Sequence, residues 1–226
     1  MSVLTTTLVG LGITGAIAAL AAREHRLVRA ARQTLLDRCA SVLDGVEIRH
    51  GRDGFPSLSG RRHGRRVHLE LIPDTMVVRR LPQLWASLTL LEDLGNQPGL
   101  AVLVRPAGYE FYSLTGSLTY ALDAPPLLPS EVLIRGSDSR SERLLAQTTS
   151  VLASILADPR VKEIGVTGRG LRLIWQAGEG RRGEHLLLRQ AVFDDADVSA
   201  SDLAKRLDEL EALRSAIDTD QEKRAA

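Results

Sequence analysis

The chain has 226 residues, 29 Lys and Arg against 28 Asp and Glu, and 44% apolar residues, an ordinary globular balance with enough length for one good core or two small ones. Cys39 is the single cysteine, which excludes an internal disulfide and fits a reducing compartment, and no CxxC or Cys/His cluster offers a structural zinc site. Lys occurs only at Lys162, Lys205 and Lys223, a bias that suggests a GC-rich bacterial genome and lowers the information in any one Arg cluster.

The opening stretch, Val3 to Ala22, carries no charge and no proline. As a helix of about 30 Å it matches the hydrocarbon core of a bilayer. Its eight large aliphatic residues contribute about −2 to −5 kcal/mol toward insertion, opposed by threonines and glycines. No Lys or Arg precedes the span, whereas Arg23, Arg26, Arg29, Arg32 and Arg38 follow it. The positive-inside rule then places the bulk of the chain in the cytoplasm of a bacterium, below its inner membrane.

Two other readings of this stretch stand beside the anchor. Ala19-Leu20-Ala21 resembles a signal-peptide cleavage site, but the basic n-region is missing. Gly10, Gly12 and Gly15 form a literal GxGxxG, the dinucleotide fingerprint, which needs a strand before it, a helix after it and an acid about 20 residues on. Here Glu47, the first acid in an extended stretch, comes 32 residues after Gly15. The small residues Gly12, Gly15, Ala16 and Ala19 would also let a second helix approach closely.

Residues 23 to 44 read as a juxtamembrane amphipathic helix with Val28, Ala31, Leu35, Leu36, Cys39, Val42 and Leu43 on one face, ended by Gly45. Between residues 23 and 80 there are 13 Arg against 7 acids, and this basic part adjoins the anchor. Strands are expected at Val46 to Arg49, then in a hairpin with arms Pro56 to Ser59 and Arg66 to Ile72. Further strands are expected at Leu84 to Leu90, Leu100 to Val104, Glu110 to Leu114 and Val132 to Arg135. Pro125, Pro126 and Pro129 mark a rigid connection, a candidate lobe boundary near 124–130.

Ser139 with Glu142 makes a capping-box pattern for a second helix that ends at Asp158-Pro159. A hairpin around Gly168-Arg169-Gly170, a glycine-rich turn at Gly178 to Gly183 and a strand at His185 to Phe193 follow. Ser199 with Asp202 caps a last helix with the stripe Leu203, Leu207, Leu210, Leu213 and Ile217. Residues 219 to 226 read as a disordered tail. Strands joined by short turns argue for an α+β fold: a mainly antiparallel sheet packed with three amphipathic helices, behind an N-terminal transmembrane helix. The expected divisions are an anchor over 1–22, the juxtamembrane helix over 23–44, a cytoplasmic domain over 45–218 and the tail.

No catalytic set emerges. The pairs His50 with Asp53 and His63 with His68 lack the helical spacing that makes metal motifs specific. A nucleophile elbow and a phosphate loop are absent, and Asp194, Asp195 and Asp197 read as charge before a helix N-terminus. The basic turn Arg61-Arg62-His63-Gly64-Arg65-Arg66 is the sharpest exposed feature. It lacks the aromatics that stack nucleic-acid bases, so no nucleic-acid partner is expected. With Arg23 and Arg26, the arginines Arg61, Arg62, Arg65 and Arg66 are candidates for contact with an anionic membrane surface. The functional expectation is a binding, accessory or scaffold module with no cofactor and no metal. It would meet the bilayer, and a protein partner through the transmembrane or C-terminal helix. The alternative is an NAD-type nucleotide-binding protein or enzyme using Gly10, Gly12 and Gly15.

Overall fold

In a computed structural model, the described residues are 3–75, 81–108, 110–181, 193, 196 and 198–225; the side chains of 3–10 and 219–225 are not described. The fold is α+β. Helix α1 covers Val3–Gln33, α2 Arg140–Leu156 and α3 Ala200–Ala225. The strands are β1 Asp44–His50, β2 Pro56–Arg62, β3 Arg65–Asp74, β4 Gln83–Leu91, β5 Leu100–Val104, β6 Tyr120–Leu122, β7 Val132–Gly136, β8 Val161–Thr167 and β9 Gly170–Glu179. They form one nine-stranded sheet in the order β1-β2-β3-β4-β9-β8-β5-β7-β6, with every neighbouring pair antiparallel. The sheet crosses the Pro125 to Pro129 connection, because β5 pairs with β7 and also with β8.

Alternation of side chains sorts the sheet into two faces. One presents Leu58, Val67, Leu69, Leu84, Leu88, Leu90, Leu171, Leu173 and Trp175, all at most 1% exposed. Helices α2 and α3 cover it: Leu144, Leu152 and Ile155 of α2 and the stripe Leu203, Leu207, Leu210, Leu213 and Ile217 of α3 join the same core. Each such buried aliphatic contributes about 1.5–3 kcal/mol. The hydroxyl of Ser199 accepts from the Asp202 N–H at 3.0 Å, so the start of α3 is capped as its sequence implies. The segment after Arg105 crosses the opposite face, where Tyr112 packs on Trp85 with ring centroids 5.6 Å apart, beside Ile174.

Several elements differ from the sequence reading. The juxtamembrane helix does not run to Gly45: α1 ends at Gln33 and a 3-10 helix, Asp37–Val42, follows. Leu36 and Cys39 are fully buried and Val42 packs on the same core. That spacing of three matches the 3.0 residues per turn of a 3-10 helix and not the 3.6 of the expected α-helix. Gly45, at φ 60°, sits instead at a bulge in β1 between Asp44 and Glu47. Glu110 to Leu114 is not a strand: the Leu114 N–H donates to the Glu163 carboxylate at 3.1 Å and not to a ladder. The Ser139 side chain makes no cap; Asp138 accepts the Arg140 N–H at 2.8 Å, and Glu142 takes the Tyr120 hydroxyl at 2.6 Å. α3 continues to Ala225, through the expected tail. Of the strand expected at His185 to Phe193, residues 185–192 lie outside the described residues, as do Asp194, Asp195 and Asp197.

Candidate functional site

Among the described residues, α1 meets the sheet through its last turns. Arg32 donates to the Asp53 carbonyl at 3.3 Å and stacks 4.8 Å from the Phe55 ring centre, and the His50 ring lies 3.2 Å from the Gln33 carbonyl. Burial lowers the Arg32 pKa from its ordinary value, partly offset by Asp53. Upstream the helix leaves the sheet domain. Leu11, Ile13, Ile17 and Leu20 are 65, 57, 61 and 62% exposed. A side chain added at Gly12 or Gly15 would meet nothing within 4 Å. From residue 11 to 22 the sequence holds no charged residue, and Arg23 and Arg26 follow, both exposed. Among the described residues no helix is long and apolar enough to cross a membrane. The side chains of 3–10, which begin the apolar stretch, are outside that description.

Gly10, Gly12 and Gly15 lie inside α1, with helix before and after them. The strand-to-helix turn whose amides hold a pyrophosphate is therefore not formed by these glycines.

The basic hairpin tip is tighter than its six-residue run suggests. β2 extends to Arg62 and β3 begins at Arg65, leaving His63 and Gly64, at φ 48° and 79°, as a two-residue turn of the primed type. Alternation then divides the four arginines. Arg62 faces α3, donating to the Ala204 carbonyl at 3.0 Å and to Asp208 at 2.6 Å, while His63 is 3.1 Å from Glu211. Arg65 is 3.4 Å from Glu92. Arg61 and Arg66 face the other way, directly opposite one another and both exposed. The tip lies at the far end of β2 from the turn that holds α1, about 20 Å along the strand.

Other polar groups cluster where sequence gave little warning. Lys162 is 3% exposed and donates to the Val104 and Arg105 carbonyls at 3.1 and 2.7 Å and to Glu110 at 3.1 Å. The fully buried Glu163 binds Arg172, the Ser113 hydroxyl and the Leu114 N–H. These pairs pin the crossing segment to the sheet. The signal was a lysine, rare in this chain, beside a glutamate in a β strand, where a register shift between Val161 and Glu163 interrupts alternation. An open cleft of about 660 Å³ lies between residues 96–98, the start of α2 and Ile217. There Arg140 is already held by Asp138. Among the described residues no three His, Cys, Asp or Glu side chains gather to hold a metal ion. His50, His63 and His68 each meet a different partner, the Gln33 carbonyl, Glu211 and Ser59.

Comparison with known proteins finds no family model that matches the chain and no curated relative.

Proposed function

We propose that this chain is a single-pass protein of the bacterial inner membrane, whose N-terminal helix holds a cytoplasmic α+β domain that works by binding, as an accessory or scaffold module. The observation that carries the reading is the bare apolar surface of α1. A helix apolar on all sides belongs in a core or in lipid, and the sheet domain leaves Leu11, Ile13, Ile17 and Leu20 more than half exposed. The described exposed stretch, residues 11 to 22, is about 18 Å long. The uncharged residues 3 to 10 extend it to the length of a span. Arg23, Arg26 and Arg29 then sit where the cytoplasmic headgroups would be, each worth about 1 kcal/mol near an anionic surface.

The test is fractionation of the untagged full-length protein. Extraction by detergent alone, and not by high salt or alkaline carbonate, is the expected result. Removal of residues 1–22 should release a folded soluble domain. A full-length protein that leaves with salt, or a truncated one that stays behind, sinks the proposal.

A further inference from the structure

Strand β1 stands last in the sheet, so one of its edges faces no neighbouring strand. It is exposed at Asp44, Gly45, Glu47, Arg49 and His50 and half-buried at Val46 and Ile48. The pairing with β2 fixes which backbone groups face outward. The Gly51 N–H donates to the Phe55 carbonyl at 2.9 Å, and Arg49 with Ser57 and Glu47 with Ser59 continue the same register. Hydrogen-bonded pairs alternate with non-bonded ones in an antiparallel ladder. Glu47 and Arg49 therefore turn their amides and carbonyls toward β2, whereas Ile48 and His50 turn theirs to the open edge. Pro56 agrees with this phase: it stands opposite His50, at a non-bonded position, where its missing N–H would face away from β1. An outward row of donors and acceptors is a template for another strand. The end of α1 holds the turn beyond β1, through His50, Asp53 and Phe55, and leaves Glu47 and Arg49 exposed.

The charges on this edge select the occupant. Glu47 and Arg49 lie on one face of the strand, 2.7 Å apart. A second β1 laid antiparallel, with Ile48 opposite Ile48, sets each Glu47 directly opposite the other copy's Arg49. These are the non-hydrogen-bonded positions, where facing side chains come closest. The four charges then alternate in sign, the pair within each chain is kept, and the outward groups of the two Ile48 residues bond to one another. Slipping the register by two residues keeps the hydrogen-bond phase but sets Glu47 against Glu47 or Arg49 against Arg49, which is destabilising. Slipping by one loses the phase altogether. We infer that β1 is a homodimer interface: two copies of this chain join edge to edge about a twofold axis at Ile48, and their two nine-stranded sheets become one. The bulge between Asp44 and Glu47 interrupts the regular edge on one side, so the contact is short and the association reversible. The edge belongs to the sheet and not to the anchor, so the inference stands or falls separately from the membrane assignment.

The test is sedimentation of full-length protein in neutral detergent micelles over a range of concentrations. Wild type should pass from monomer to dimer. Glu47→Arg and Arg49→Glu each exchange two attractive cross-strand pairs for two repulsive ones, which should weaken the dimer roughly ten- to hundredfold. Both positions are exposed, so each variant should keep the wild-type melting curve. An equimolar mixture of the two variants is complementary again and should dimerise as wild type does. Oxidation reads the register independently. A mixture of Glu47→Cys and Arg49→Cys chains should form a disulfide between chains, because directly opposite positions lie within its reach. Neither should do so alone, since identical positions are offset diagonally by two residues. Cys39 is fully buried and does not compete. A wild type that stays monomeric, charge variants that dimerise as well as wild type through another surface such as α1, a mixture that recovers nothing, or Glu47→Cys chains that cross-link to themselves would overturn the inference.

Discussion

Replacing Asp158 should destabilise this fold more than its partial exposure suggests. The carboxylate follows α2, and three groups converge on it: Arg206 at 2.5 Å, Lys205 at 3.1 Å and the Arg160 N–H at 2.9 Å. Arg206 is fully buried, with its guanidinium 5.8 Å from the centre of the Trp175 ring. Breaking a buried pair by removing one member costs about 3–5 kcal/mol, because the other charge is left in the core. Glu209 still holds Arg206 from 2.9 Å, so the loss in Asp158→Asn should be smaller, about 2–3 kcal/mol. That corresponds to a melting midpoint roughly 5–10 °C lower for a chain of this size. Burial raises the Asp158 pKa and is the largest single influence, but the Arg160 N–H, Arg206 and Lys205 together outweigh it and hold the carboxyl well below the ordinary range. A depressed folded value means that the stability is present above the unfolded pKa, about 4, and is lost as the pH falls further. Urea unfolding in detergent at pH 7 and at pH 2.5 should show a gap between wild type and variant that narrows in acid. A gap under about 0.5 kcal/mol at pH 7, or one that does not narrow, would refute the reasoning. The double variant Asp158→Asn/Arg206→Met should recover part of the loss.

Three further changes probe other parts. Ile17→Arg replaces a contribution of about −0.5 kcal/mol by one of about +2.5 to +3.5, which cancels most of the insertion energy of the span, so the protein should become extractable with carbonate. Gly170→Ala places a Cβ 2.1 Å from the Leu90 carbonyl oxygen at a φ of 138°, and should cost about 2–4 kcal/mol in urea unfolding because backbone and not a side chain must yield. Leu207→Ala empties a fully buried position between α3 and the sheet, for an expected loss of about 2–5 kcal/mol.

The sheet was legible where one face is apolar. Val67, Leu69 and Leu71 alternate with Arg66, His68 and Glu70, and β3 follows that pattern with its inner positions buried. The stripe of α3 was legible for the same reason. Legibility failed where side chains replaced the ladder. Residues 110–114 alternate like a strand, yet their backbone is held by Glu163, a residue about 50 positions away that no local window contains. It failed again at 36–42, where burial of Leu36, Cys39 and Val42 chose a three-residue period. Strand β6 was missed because three residues, Tyr120–Leu122, are too few to show any period.

The basic turn shows how an apparently single sequence feature becomes two structural ones. In sequence, Arg61, Arg62, Arg65 and Arg66 are one cluster, and a charge argument treats them alike. A two-residue turn with φ positive at both His63 and Gly64 puts them in strands instead, where successive side chains must point to opposite faces. Arg62 then falls beside Asp208, and Arg65 beside Glu92, charges supplied by α3 and by the residue that follows β4. Arg61 and Arg66 fall on the face that α2 and α3 leave uncovered. The turn length alone decides this: a hairpin with one more residue in its loop would change the pairing, and with it which arginines face α3.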